Sequence, residues 1–198
     1  MRRGMIVLTL FAVFFMLAVW GATSFLSGIS TPLPVSRDFT TELVGLYRAF
    51  TGPGITPFQS PDRQKLALWL SERVGVHARV PDLTQAGLVA SGVRVLEFGG
   101  GGLGMIRYRD MTGAAGDVIA VFVPKGRMGV PEKAAARKVM GRDVWLQTEN
   151  TARLAYAPGP GVDWVLVSAR EEKALLAAAG ALLWYDYGPW PSSLINVE

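Results

Sequence analysis

The chain has 198 residues, 50% of them hydrophobic, and a formal net charge of +4 from twenty Lys and Arg against sixteen Asp and Glu. That length favours one folded domain with an appendage, and so mild a basic balance leaves no nucleic-acid footprint. With no Cys and a single His, His77, disulfides, thiolate nucleophiles, iron–sulfur clusters and cysteine zinc sites are excluded, and no cofactor or metal is expected.

Arg2 and Arg3 precede an apolar run from Met5 to Phe25, and no charged residue lies between Gly4 and Ser36. A helix of roughly twenty apolar residues spans a bilayer core at about 1.5 Å per residue. Phe11, Phe14 and Phe15 fall with the aliphatic residues around the whole helix circumference, which suits lipid. Trp20 lies near the far end, where an indole suits the membrane interface. Residues 1–28 therefore read as a cytoplasmic stub and a transmembrane anchor. The rival reading is a cleaved signal peptide, whose apolar core spans about 7–15 residues before a small-residue cut. Here the run is longer, and Gly21-Ala22-Thr23-Ser24 has no A-x-A pattern. Arg2 and Arg3 place the N-terminus in the cytoplasm of a bacterial inner membrane and the rest of the chain in the periplasm.

Residues 29–59 read as a linker and an amphipathic helix. Thr31-Pro32-Leu33-Pro34 is a semi-rigid spacer. Phe39, Leu43, Leu46, Tyr47 and Phe50 recur at helical spacing, so a helix is predicted from Asp38 to Phe50. Thr51-Gly52-Pro53-Gly54 stops it. Residues 60–185 form the main domain. Ser60-Pro61-Asp62 predicts the next helix start, with Ser60 as N-cap, and Gly75 its end after Val74. Asp82 to Ala90 suggests a short helical turn. The period then changes to that of strands, at Val93 to Phe98, Met105 to Asp110 and Val118 to Val123. Gly126 to Arg142 is a basic insertion, with a helix predicted from Pro131 to Met140. Strands follow at Asp143 to Thr148, Thr151 to Ala157 and Asp163 to Ser168. A helix from Glu171 to Tyr185 precedes an aromatic and proline-rich tail, 186–198. The fold class is α+β: a small antiparallel-sheet domain flanked by helices, behind one N-terminal transmembrane helix.

Gly99 to Gly104 fits the G-x-G-x-x-G pattern after a strand. A dinucleotide fingerprint must next open a helix, whereas Met105 to Asp110 alternates like a strand, so a flexible hairpin loop is the reading. His77 lacks an evident acidic orienter other than Asp82. Asp110 and Asp117 flank a turn without calcium-loop spacing. Ser168, Ser192 and Ser193 lie in no nucleophile elbow. No catalytic site is expected. Two interaction features remain. Lys125, Arg127, Lys133, Arg137 and Lys138 form a basic stretch suited to lipid phosphates or an acidic partner. Trp184, Tyr185, Tyr187 and Trp190 are aromatics of the kind that anchor interfaces.

Trp69-Leu70-Ser71-Glu72-Arg73-Val74-Gly75, Val80-Pro81-Asp82-Leu83 with Gly87, Val93-Arg94-Val95-Leu96 and Ile106-Arg107-Tyr108-Arg109-Asp110 together resemble the extracytoplasmic domain of bacterial membrane-anchored anti-sigma factors. Arg153-Leu154-Ala155-Tyr156-Ala157 and the helix from Glu172 to Ala179 continue the likeness, which spans Ser60 to Leu182. Such regulators carry a cytoplasmic sigma-binding domain, often with a His/Cys zinc motif. Here only Met1 to Gly4 stands before the anchor, so the resemblance implies a fold and a topology and not sigma inhibition. The leading expectation is a non-catalytic accessory or scaffolding subunit of an integral-membrane complex, in contact with the bilayer and with no nucleic acid. The alternative is an anti-sigma-like envelope sensor acting with a separate cytoplasmic partner.

Overall fold

The computed structural model describes residues 37–51, 58–75, 77–98, 101–113, 116–125, 129, 131 and 133–188. The anchor residues Phe11, Phe14, Phe15 and Trp20, together with Arg127 and Trp190, lie outside these. Among the described residues no helix is long and apolar enough to cross a membrane.

Helix α1 (Arg37–Thr51) is followed by α2 (Arg63–Val74), a 3-10 turn (Thr84–Ala86) and three strands, β1 (Leu88–Phe98), β2 (Gly101–Asp110) and β3 (Val118–Pro124). Four more strands follow, β4 (Ala135–Val139), β5 (Arg142–Glu149), β6 (Ala152–Pro158) and β7 (Val162–Ser168), and then helix α3 (Glu172–Tyr187). All seven strands join one sheet in the order β1-β2-β3-β7-β6-β5-β4, and every pairing is antiparallel. Two meanders, β1–β3 and β4–β7, are thus joined by the single ladder between β3 and β7.

The sheet is apolar on both faces because its central strands alternate with period two between two cores. Val118, Ala120 and Phe122 of β3 and Trp164 and Leu166 of β7 point to one face, where Leu66 and Leu70 of α2 and Leu175, Leu182 and Leu183 of α3 meet them. Ile119, Val121, Val123, Val165 and Val167 point to the other, which holds Phe39, Leu43, Val44 and Phe50 of α1. A buried hydrogen bond of 3.2 Å between Thr40 Oγ1 and the Tyr156 hydroxyl ties α1 to β6. Burial pushes the Tyr156 phenol up to about 12, against the opposing pull of Thr40.

Four local expectations change. Asp62, not Ser60, caps α2: its carboxylate accepts from the amides of Gln64 at 2.8 Å and Lys65 at 3.4 Å. Ser60 Oγ instead accepts from the Asp62 amide at 3.1 Å. The expected helix from Pro131 to Met140 is replaced at 135–139 by strand β4. Ala135, Ala136, Arg137 and Lys138 are good helix formers, but Met140 (φ 51) and Gly141 (φ 73) make a left-handed two-residue turn between the paired Val139 and Arg142. That is the type I′ geometry that launches a hairpin, and pairing with β5 overrides propensity.

The glycine run is not a loop from Gly99 to Gly104. Gly101 pairs with Phe98, Gly102 with Glu97 and Gly104 with Val95. Gly102 and Gly104 lie under α2: a Cβ on Gly104 would stand 3.0 Å from Leu70 Cδ2, and one on Gly102 3.7 Å from the Arg73 carbonyl. These glycines permit close helix–sheet approach and make no phosphate cradle. Finally, α3 runs to Tyr187, so Asp186 and Tyr187 belong to the helix and not to the tail.

Candidate functional site

The sheet brings Asp110, Asp117 and Ser168 to one end of β2, β3 and β7, where they bond with Arg107 and Arg170. Asp110 accepts from Arg170 Nη2 at 2.7 Å, with side-chain exposures of 13% for Arg170 and 7% for Asp110. The hydroxyl and amide of Thr112 also donate to Asp110. These hydrogen bonds, with Arg170 beside them, hold the Asp110 carboxyl below the usual carboxylate range. Asp117 accepts from Arg107 Nε at 2.6 Å. Ser168 Oγ donates to the Asp117 carbonyl at 2.8 Å and accepts from the Arg170 amide at 3.1 Å. Tyr47 of α1 reaches the same end, its hydroxyl accepting from the Ala169 amide at 3.1 Å. Asp110 and Asp117 therefore serve two separate arginines. Among the described residues no group of three or more metal-ligating side chains occurs.

The opposite end gathers the aromatics. Trp164 Nε1 donates to Asp186 Oδ2 at 2.7 Å, and the Trp164 ring meets Phe122 edge-on at 5.6 Å. The Tyr187 hydroxyl donates to the Pro158 carbonyl at 3.2 Å, and the Arg142 guanidinium lies 3.4 Å above the Tyr187 ring. Tyr187 is thus held by the domain itself. Trp184 is half-buried on α3, and Tyr185 is exposed.

Burial raises the Asp186 carboxyl, opposed by its bond to Trp164 and by Arg79. A carboxyl whose folded pKa is raised favours the fold when protonated. Its contribution falls as pH climbs from the ordinary value of 3.8 and stays low above the folded pKa. Asp186→Asn keeps a carbonyl acceptor for the indole and removes this loss. The variant should match the parent in acid and equal or exceed it near neutral pH, checked by urea unfolding across pH.

Among the described cations of the basic stretch, Lys125, Arg137 and Lys138 each have an acidic partner. Lys125 Nζ sits 2.8 Å from both the Gly159 carbonyl and the nearly buried Asp163. Arg137 pairs with Glu172 at 2.8 Å across to the start of α3, and Lys138 pairs with Asp143 at 2.9 Å across the β4–β5 ladder. Lys133 is exposed. His77 is exposed as well.

Sequence reasoning missed the large apolar side chains left at the surface. Phe58, at 37% exposure, bridges the edge of β1 through paired backbone bonds with Val93 and stacks on Trp69 of α2 at 5.3 Å. Leu68, on the outer side of α2, is 63% exposed. Val89 and Met111, on the other side of the β1–β2 hairpin, are also exposed. The one available signal was Leu68 itself, an apolar residue off the buried Leu66–Leu70 stripe. No protein-family model, curated protein or solved structure matches the chain.

Proposed function

We propose that this chain is a non-catalytic, single-pass membrane protein whose α+β domain lies in the periplasm and docks on a partner subunit of an integral-membrane complex. The observation that carries this reading is the division of labour among the side chains. Asp110, Asp117, Ser168, Arg107 and Arg170 are engaged in holding the sheet end together. Leu68, Phe58 and Tyr185 stand exposed on, or against, the helices of one layer. Exposed apolar side chains on a rigid element are the raw material of interface anchors. The uncharged run from Met5 to Phe25 supplies the tether.

A photo-crosslinking residue in place of Leu68 or Tyr185 should capture a fixed set of membrane partners in intact cells. The same residue in place of the exposed Thr148 on β5 should capture none. A protein that is monomeric in mild detergent, with no crosslink from either helix, would sink the proposal.

The second reading, an envelope sensor or regulator, draws on the residues that carry the family resemblance. They sit together: the Tyr108 hydroxyl donates to the Pro81 carbonyl at 2.9 Å, and Asp82 Oδ1 accepts from both the amide and the hydroxyl of Thr84. Its mark would be a transcriptional change on deletion of the chain with every membrane activity intact.

A further inference from the structure

Besides Lys133, some cations outside the basic stretch lack an acidic partner among the described residues. Arg94 and Arg109 take part in none of the ion pairs found. Both project to the α1 side of the sheet, since Arg94 is paired with the inward-facing Met105 of that core and Arg109 with Val89 two ladder steps from Arg107. Val89, opposite Arg109, is 41% exposed. The Met111 amide donates to the Gly87 carbonyl and prolongs the ladder by one step, so Met111, 62% exposed, falls on the same side by alternation. Helix α1 lies on this face as well, against β5 and β7, and leaves Glu42 and Arg48 exposed. Arg107 also points here but is matched by Asp117. On the far strands Asp143 is matched by Lys138, and Glu149 stands at the end of β5.

We infer that this strip, Val89 and Met111 with Arg94 and Arg109, rests on the anionic lipid surface of the membrane that carries the chain. The inference builds on the tethered topology proposed above. Guanidinium groups suit lipid phosphates because they donate two parallel hydrogen bonds to one acidic group. Exposed Val and Met between them can enter the boundary between head groups and acyl chains. Each arginine near an anionic surface contributes about five-fold in association, so two give roughly thirty-fold. That is weak for a free domain. A tether makes the contact intramolecular and raises the effective concentration to about the millimolar range, which favours docking. An acidic protein would use the same charges but offers no continuous plane for Val89 and Met111. With this face down, α2 and α3, which cover the opposite face, stay open to a partner.

The absence of Cys from the chain makes the test direct. Met111→Cys or Leu68→Cys in the full chain, labelled with an environment-sensitive fluorophore, is reconstituted into vesicles of phosphatidylcholine alone or mixed with phosphatidylglycerol. The expected result is blue-shifted emission and quenching by head-group spin-labelled lipid at position 111, in the anionic vesicles only. Position 68 should remain aqueous. Arg94→Gln with Arg109→Gln should lower the docked-to-undocked ratio about thirty-fold, and added salt should act in the same direction. A label at 111 that stays aqueous in a chain that floats with the vesicles overturns the docking while leaving the tether intact. So does burial of position 111 that needs an added acidic protein and not anionic lipid. A chain that does not float at all overturns the tether, and the docking with it.

Discussion

Gly159→Ala should lower the stability of the domain by about 3 kcal/mol, at the upper end of what overpacking costs. For a chain of this size that is a drop of about 6–12 °C in Tm, read from thermal unfolding. A Cβ at this position would lie 2.4 Å from the Val162 carbonyl oxygen and 2.8 Å from Asp186 Oδ2. Neither obstacle can yield cheaply. The Val162 carbonyl accepts the Gly159 amide at 2.9 Å and so closes the β6–β7 turn. Asp186 is held by the Trp164 indole. The Gly159 carbonyl also receives Lys125, so moving this turn disturbs three contacts together. Gly161, two residues on, has nothing within 4 Å of an added Cβ. Gly161→Ala should change stability by less than about 0.5 kcal/mol. Equal effects at the two positions would show that the turn relaxes freely.

Trp164→Ala is expected to cost about 3–5 kcal/mol, the range for deleting a buried aromatic. The ring is 1% exposed, packs edge-on against Phe122 and belongs to the core that joins the sheet to α3. Its loss opens a cavity between β7 and α3 and strips Asp186 of its donor. Trp164→Phe separates the two effects, because it restores most of the ring volume without the indole N–H. The phenylalanine variant should recover most of the lost stability, and the remaining deficit should shrink in acid, where a protonated Asp186 no longer needs the donor. Chemical denaturation of the three proteins at two pH values provides the comparison. A phenylalanine variant as weak as the alanine variant would place the whole effect in the hydrogen bond.

Helical periodicity and strand alternation locate α1, α2, α3 and six of the seven strands in the sequence, although β1 starts five residues before the expected Val93 and takes Leu88–Ala90 from the expected helical turn. β4 escapes because Ala135-Ala136-Arg137-Lys138 has local helix preference, and only the pairing partner supplied by the I′ turn makes it a strand. The glycine run misleads because Gly is a turn signal by default. Its purpose here, clearance beneath Leu70 and Arg73, depends on a helix that lies earlier in the chain, at Arg63–Val74. Such separation in the chain also hides the polar site. Arg170 and Asp110 carry no local pattern that joins them, and neither do Arg107 and Asp117 at the two ends of a hairpin whose register had first to be known. The aromatic cluster is visible as composition. That Tyr187 turns inward on Arg142 and Pro158 while Tyr185 faces out follows from helical phase, and placing the helix end at Tyr185 conceals that phase.

The joining of two meanders by one ladder has a kinetic consequence. Five of the six strand pairings link neighbours in the chain and close over short turns, the kind of contact that forms fastest. The pairing of β3 with β7 must wait until Val162 to Ser168 has been made and folded back. Until then Val118 to Val123, apolar on both sides and buried in the finished domain, has an open flank. A β-branched run of that kind is the segment most able to recruit a strand from another molecule. The newborn chain is therefore at greatest hazard of aggregation between the completion of β3 and the arrival of β7. Changes that slow the β4–β6 hairpins should lower yield out of proportion to their effect on the finished fold.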